Sequence, residues 1–335
     1  MRFVPIDEIQ PGMVIVKNIY DEEGRKLLGR NKKMTGPLID KIRRLGYSGI
    51  YICDRYSEFE ELAEIIDEDE RIRMLCTLKE QNLDQIFLLS SKIVDDLLDQ
   101  EEIHLDFNTL RHYHNSIYEH SLNVAIAAVA CGIGMGLNNS QLRELALSAM
   151  FHDIGKECVP PEVLDKPGPL TPEERAIINC HPEFGYEMLK DRNEFPATVR
   201  VSILQHHEND DGTGYPRGLS REDIFIYARI IHVADVFDAL LSKRPYKEEY
   251  SALESIEYLM ANCDRMFNYN VVSTFLNYIT VYPVGVTVTL STGKKAHVIK
   301  NRSEFVLRPV VMTEDGTVMD LALDHNYLNV TIVGK

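Results

Sequence analysis

Histidine and aspartate carry the chemistry of this chain. Of its 11 histidines, His112, His114, His120, His152, His181, His206, His207 and His232 crowd the middle of the sequence. The sharpest unit is Phe151-His-Asp-Ile-Gly-Lys156. The apolar stretch from Leu142 to Met150 reads as a helix that delivers His152 and Asp153 side by side, with Gly155 ending it. Imidazole suits transition metals, and a carboxylate can bridge two of them. Lys156, one turn on, is placed to neutralise a phosphate oxygen. His206 and His207 are adjacent, so on a helix they point roughly 100° apart. They can serve two ions, or an ion and a phosphate. Asp235 lies inside the apolar run Ile230 to Leu241. A buried carboxylate without a partner is costly, so it calls for a cation. Asp238, one turn further, reads either as a support behind that cation or as a helix hydrogen bond.

Each residue also has a plainer role. A His-Asp pair often caps a helix, His120 alone reads as structural, and His206-His-Glu208 reads as a polar loop before Asp210-Asp-Gly-Thr-Gly-Tyr-Pro216. Taken together, His120, His152-Asp153, His181, His206-His207 and Asp235 resemble a multinuclear metal hydrolase site.

The elements that must position them follow from pattern. Residues 1–56 read as short strands (13–20, 25–29 and 49–53) with a helix over 37–45, bounded by Pro37 and Gly46. Residues 57–106 hold 16 acidic against 4 basic residues and neither Pro nor Gly. They predict one or two linker helices that pack one face on the next domain. From about 90 to 282 the pattern is helical. Thr171-Pro-Glu-Glu174 is a capping box, and its helix is expected to continue through His181 with a kink at Pro182. Further helices are expected over 222–241, 248–259 and 270–280. After 283 the period changes to two β-hairpins, 284–290 with 296–300 and 305–312 with 318–321. The expected division is therefore 1–56, a small α/β accessory domain; 57–106, acidic linker helices; 107–282, a helical catalytic domain; and 283–335, a small β domain.

Composition excludes other classes. With 335 residues, 44% hydrophobic and 26% charged, this is a globular chain with ample core. Net charge −16 disfavours long nucleic acid, whose phosphates need a basic surface. A small phosphate-bearing ligand stays open where local cations reverse the field. The longest apolar stretch, Val124 to Leu137, is 14 residues with three glycines, too short to span a bilayer. The N-terminal residues lack the apolar core of a secretory signal. Six scattered cysteines without a CxxC pair read as reduced thiols, so a cytoplasmic location is expected.

Longer motifs add a resemblance. His152-Asp153 with Gly155-Lys156, the stretch Val159-Pro-Pro-Glu-Val-Leu-Asp-Lys-Pro-Gly-Pro-Leu-Thr171, His181-Pro-Glu-Phe-Gly185, His206-His-Glu208 with Asp211-Gly-Thr-Gly-Tyr-Pro216, and Ala234-Asp-Val-Phe-Asp-Ala239 with Arg244-Pro-Tyr-Lys247 resemble an HD-GYP domain over about residues 110–250. Residues 1–56 more weakly resemble the accessory domain found ahead of some HD-GYP domains. The resemblance implies a mainly α fold, an HD-type helical bundle. It also implies a bacterial cyclic di-GMP phosphodiesterase of second-messenger signalling. By it, His120, His152, Asp153, His181, His206, His207 and Asp235 are metal ligands, with Asp153 bridging. Lys156 touches the scissile phosphate, Gly214 and Tyr215 line the pocket, and Arg244 and Lys247 hold phosphate or guanine. The implied metals are iron or manganese. Ser116 stands where three-metal members carry Glu, so two ions are expected, with Glu119 or His114 the residues that could change that count. Asn209, Asp210 and Asp165 also depart from the usual pattern. The expected product is pGpG, then GMP. A receptor or interaction module without turnover, or a hydrolase of cyclic GMP-AMP, are the competing readings. A homodimer or a regulatory protein partner is expected through the N-terminal module and linker helices.

Overall fold

The computed structural model describes residues 2–21, 25–45, 47, 49–53, 66, 68–80, 82–105, 117–242 and 250–334. They divide into two compact units. The first comprises Met1–Arg73, His104–His114 and Asn277–Lys335; the second comprises Met74–Ile103 and Asn115–Leu276.

In the first unit, β1 (Arg2–Pro5), β2 (Ile19–Tyr20), β3 (Lys26–Leu28), helix α1 (Gly36–Arg44) and β4 (Gly49–Ile52) form a small α/β element. β1 pairs antiparallel with β4, Val4 opposite Ile50. Val4, Ile15, Ile19, Met34, Ile39, Ile42 and Ile52 pack as one core. The expected strand over 13–20 is reduced to β2 plus single bridges, Val14 to Lys33 and Ile15 to Ile52. Helix α2 (Glu68–Lys79) runs across the boundary between the units. At the other end of the chain, β5 (Thr287–Leu290), β6 (Lys295–Lys300), β7 (Val310–Thr313), β8 (Val318–Asp320) and β9 (Ile332–Gly334) form an antiparallel sheet of order β8-β7-β6-β5-β9. Both expected hairpins are present, and β9 adds an edge strand that their patterns do not announce.

The second unit is helical: α3 (Leu83–Leu98), α4 (Ile117–Gly134), α5 (Asn139–Phe151), α6 (Pro161–Leu164), α7 (Pro172–Ile178), α8 (His181–Leu189), α9 (Ala197–Gln205), α10 (Ile226–Leu241), α11 (Ala252–Ala261) and α12 (Tyr269–Leu276). α4 is buried continuously from Leu122 to Cys131, the polar Asn123 included, and packs against α5 and α10. Asn138 starts α5 with a capping box: its side chain accepts from Ser140 and Gln141, and Gln141 returns a bond to its amide. That cap fixes where α5 begins, and the helix runs out at His152.

The expected helix from 172 through 181 is two helices. Pro182 has no N–H to give to the carbonyl of Ile178 four residues back. His181 Nδ1 takes that carbonyl instead, at 2.8 Å, and α8 restarts at His181. α10 starts at Ile226 rather than 222, because Phe225 N donates to Gln205 Oε1 at 2.7 Å and residues 221–223 form a 3-10 turn.

α3 carries the acidic stretch onto the bundle. Ile86, Leu89, Ile93, Val94 and Leu97 are buried, and the helix packs on α5 and α4. Leu97 is 0% exposed and Leu88 71%. Leu97→Ala is expected to cost about 2–5 kcal/mol in urea unfolding, and Leu88→Ala within about 0.5 kcal/mol. Equal, small effects would mean that α3 is a solvated connector.

Candidate metal centre

Five helices bring their ends or faces to one point. His120 comes from α4, His152 and Asp153 follow the last turn of α5, His181 opens α8, His206 and His207 follow α9, and Asp235 lies mid-way along α10. His152, Asp153, His181, His206 and Asp235 are buried, and His120 and His207 partly so.

Most of the imidazoles are oriented by the backbone that carries them. His152 Nδ1 bonds the carbonyl of Ala149 at 2.7 Å, His181 that of Ile178 at 2.8 Å and His206 that of Ile203 at 2.7 Å. A carbonyl only accepts, so each Nδ1 carries the hydrogen and each Nε2 presents a lone pair. His120 differs: its Nδ1 bonds Asp238 Oδ2 at 2.7 Å, and Asn123 Nδ2 donates to the other oxygen at 3.0 Å.

The Nε2 atoms converge on two carboxylates. His181 Nε2 lies 3.3 Å from Asp153 Oδ1 and 3.2 Å from His206 Nε2. His152 Nε2 lies 3.4 Å from Asp153 Oδ2, and His120 Nε2 lies 3.1 Å from Asp235 Oδ1. Asp153 thus turns one oxygen to each side. Donor atoms fall into two groups, each within 4.8 Å: Asp153, His181, His206 and His207; and His120, His152 and Asp235. Lone pairs facing one another at such distances repel. His152 Nε2 and Asp153 Oδ1 are buried with no hydrogen-bond partner, a cost that a cation removes. Nitrogen and carboxylate donors in this number fit first-row transition metals.

The electrostatics agree. Burial would raise Asp153, but His152 and Lys156 hold it well below the usual carboxylate range. Burial likewise opposes ionisation of Asp235, and His120 reverses that. Burial pushes His206 well down, His207 to about 3 and His232 to about 4. These rings are neutral near pH 7. Burial would lower His120 too, but its bonds to Asp235 and Asp238 raise it to about 10.

Neighbouring residues hold the cage closed. A Cβ on Gly155 would sit 1.9 Å from the carbonyl oxygen of His181 and 2.5 Å from Gly185 N, so only glycine lets the 3-10 turn after Asp153 rest on α8. A Cβ on Gly214 would come within 2.5 Å of the 207–209 backbone. Tyr215 N donates to His207 O at 3.1 Å, and its ring lies 4.8 Å from the His207 ring. Lys156 Nζ donates to Asp153 Oδ2 at 2.5 Å. Lys166 grips both oxygens of Glu174, at 2.6 and 2.8 Å, and pins the loop ahead of α7.

All seven ligand candidates come together, with Lys156 and Tyr215 beside them. Arg244, Lys247 and Ser116 lie outside the described residues, as do His112 and His114. Glu208, which the sequence offers only as part of a motif, is buried and accepts from Arg217 N at 2.7 Å and Leu219 N at 2.9 Å, so it anchors the Gly-Tyr-Pro loop. Asn209 Nδ2 donates to Thr213 Oγ1 at 3.0 Å, and Asp210 is buried, its side chain bonded to Asn268.

Residues 93–271 match the HD domain family, and this match spans the helices and every donor just described. The chain belongs to the HD domain family. Among curated proteins it is 39% identical over 194 residues to a cyclic di-GMP phosphodiesterase of Pseudomonas aeruginosa, covering 58% of this chain and 47% of that one. It is 44% identical over 143 residues to a cyclic di-GMP phosphodiesterase response regulator of Xanthomonas campestris, covering 42% and 38%. The chain thus spans less than half the length of these relatives. A solved HDG"Y"P protein of Bdellovibrio bacteriovorus shares the fold with TM-score 0.52 at 18% identity, over 82% of this chain and 97% of that one. No helix among the described residues of this HD-domain chain is long and apolar enough to cross a membrane.

For the metal-free protein, stability should peak near pH 6.5. His207 and His232 stay neutral when folded but take a proton in the unfolded chain below about 6.5. Stability is therefore lost as pH falls from about 6.5 toward 4, by about 1.4 kcal/mol per unit for each group. His120 keeps its proton when folded up to about 10, so its contribution is complete below about 6.5 and is lost as pH rises toward 10. Urea unfolding of chelator-treated protein from pH 4 to 10 reads both limbs; a steady rise to pH 9 would contradict this.

Proposed function

We propose that this chain is a two-metal phosphodiesterase that hydrolyses cyclic di-GMP to pGpG. The observation that carries this reading is the facing of unpartnered nitrogen and oxygen lone pairs about Asp153, in two groups. The named activity of the curated relatives supports the substrate. In this reading residues 107–282 are the catalytic domain, 1–56 an accessory domain, 57–106 acidic linker helices, and 283–335 a small β domain.

His120, His152 and Asp235 would hold one ion, His181, His206 and His207 the other, and Asp153 both; iron or manganese suits the mixed nitrogen and oxygen donors. Bound there, a pair of such cations supplies Lewis acidity, making water nucleophilic near neutral pH and offsetting charge on the phosphate oxygens in the transition state. The chain's own residues do the rest. The three backbone-bonded imidazoles hold their donor atoms without reorganisation. Lys156 turns its ammonium from Asp153 to a phosphate oxygen. Gly214 and Tyr215 line the pocket, and the tyrosine orients the nucleotide beside His207. Arg244 and Lys247 supply charge for the second phosphate or a guanine edge.

Protein purified without oxygen is expected to contain two equivalents of iron or manganese and to convert cyclic di-GMP to pGpG. His152→Ala and Asp153→Ala are expected to lose metal and turnover, and Lys156→Met to lower kcat by about 10²–10³-fold with metal content unchanged. A metal-loaded wild type that binds cyclic di-GMP without turnover would make the domain a receptor. Faster cleavage of cyclic GMP-AMP in direct competition would reassign the substrate.

A further inference from the structure

Three of the oriented imidazoles lean on a neutral carbonyl of their own helix, while His120 leans on a buried carboxylate. Asp238 sits one turn beyond Asp235 on α10, so both acids share that helix's inner face. Its oxygens are divided between His120 Nδ1 at 2.7 Å and Asn123 Nδ2 at 3.0 Å. Asn123 lies one turn after His120 on α4, so α4 supplies both the ligand and the clamp on its support. We propose that Asp238 is a positioning residue that makes the two halves of the centre unequal: the half formed by His120, His152 and Asp235 binds its ion more tightly than the half formed by His181, His206 and His207.

With the ligand imidazoles deprotonated, the charge distribution favours a difference of this sign for a hard divalent cation. The first half has Asp235 to itself, a share of Asp153 through Oδ2, which Lys156 also engages, and Asp238 behind one ligand. The second half has the other oxygen of Asp153 and otherwise neutral imidazoles. Manganese(II) prefers oxygen donors and gains from each nearby carboxylate. A carboxylate behind a ligand histidine also makes its far nitrogen a stronger donor than a carbonyl does. Asn123, donating to Asp238, fixes which oxygen His120 meets. The inference rests on the two-metal reading above and adds an order of filling to it.

The test is titration of the metal-free full chain with manganese(II) alone, followed by calorimetry and by the electron paramagnetic resonance of bound manganese. Two classes of site are expected, at least 10-fold apart in Kd. Asp238→Asn should weaken the tighter class by about 10–100-fold and leave the weaker class in place. Asn123→Ala, which keeps the carboxylate, should weaken the same class by less. His207→Gln should abolish the weaker class alone. A loss confined to one class separates positioning from a general loss of structure, which would lower both and the thermal midpoint of the metal-free protein. Two equivalent ions in the wild type, or equal weakening of both classes by Asp238→Asn, would overturn the inference while leaving the phosphodiesterase reading intact. Failure to bind manganese(II), iron(II) or zinc at all would overturn that reading itself.

Discussion

A cage of nitrogen and oxygen lone pairs pointing at one another is unstable in isolation, and the helical unit is organised around one. His181 Nε2 and His206 Nε2 are 3.2 Å apart, with Asp153 between them and the His152 side. These three rings do not relieve it, since the bonds at Nδ1 have already spent the hydrogens of His152, His181 and His206, and Lys156 reaches Asp153 only at Oδ2. The packing of α4, α5, α8, α9 and α10 must hold the groups against their repulsion, and a bound cation converts the same geometry from a cost into a binding energy.

That requirement explains where the ligands sit. Most lie at helix termini, where the chain can turn a side chain inward and where a histidine can reach a carbonyl three residues back. At His181 the device is explicit, because Pro182 frees the carbonyl that the imidazole takes. The tight approach at Gly155 serves the same end: it brings the turn carrying Asp153 against the helix carrying His181, so that both oxygens of one carboxylate are used. Glu208 secures the remaining wall by holding two backbone amides of the loop that places Tyr215 over His207.

The donor residues were legible in the sequence because their chemistry is local: a His-Asp pair after an apolar helix, adjacent histidines, an aspartate in an apolar run. Supports that act through space were less so. Asp238 read equally as a support or a helix hydrogen bond, since its partners His120 and Asn123 are over a hundred residues away. Glu208 looked like part of a polar loop, because nothing in its neighbourhood announces that its acceptors face amides nine and eleven residues on. The end of α7 is not legible in the sequence because Pro182 predicts a kink, whereas a side chain, His181, takes the carbonyl that the missing N–H leaves free. β1 escaped notice for a related reason: a four-residue strand ending in Pro5 is defined by its pairing with β4, which lies more than forty residues on.

The net charge of −16 bears directly on how such a centre could meet an anionic ligand. Long-range attraction is absent, and beyond about 8 Å salt screens what the surface does. Among the described residues the centre holds Asp153, Asp235 and Asp238 against the ammonium of Lys156 and a protonated His120, and that ammonium is already engaged with Asp153. A phosphodiester approaching the bare centre would meet net negative charge and a lysine with nothing to spare. On the proposed reading, two divalent cations held by these residues would reverse the sign and neutralise the carboxylates, and Lys156 would then be free to turn toward a phosphate oxygen. Ligand affinity on the proposed reading is therefore set by metal occupancy rather than by the protein surface, and an acidic exterior becomes compatible with a doubly charged substrate.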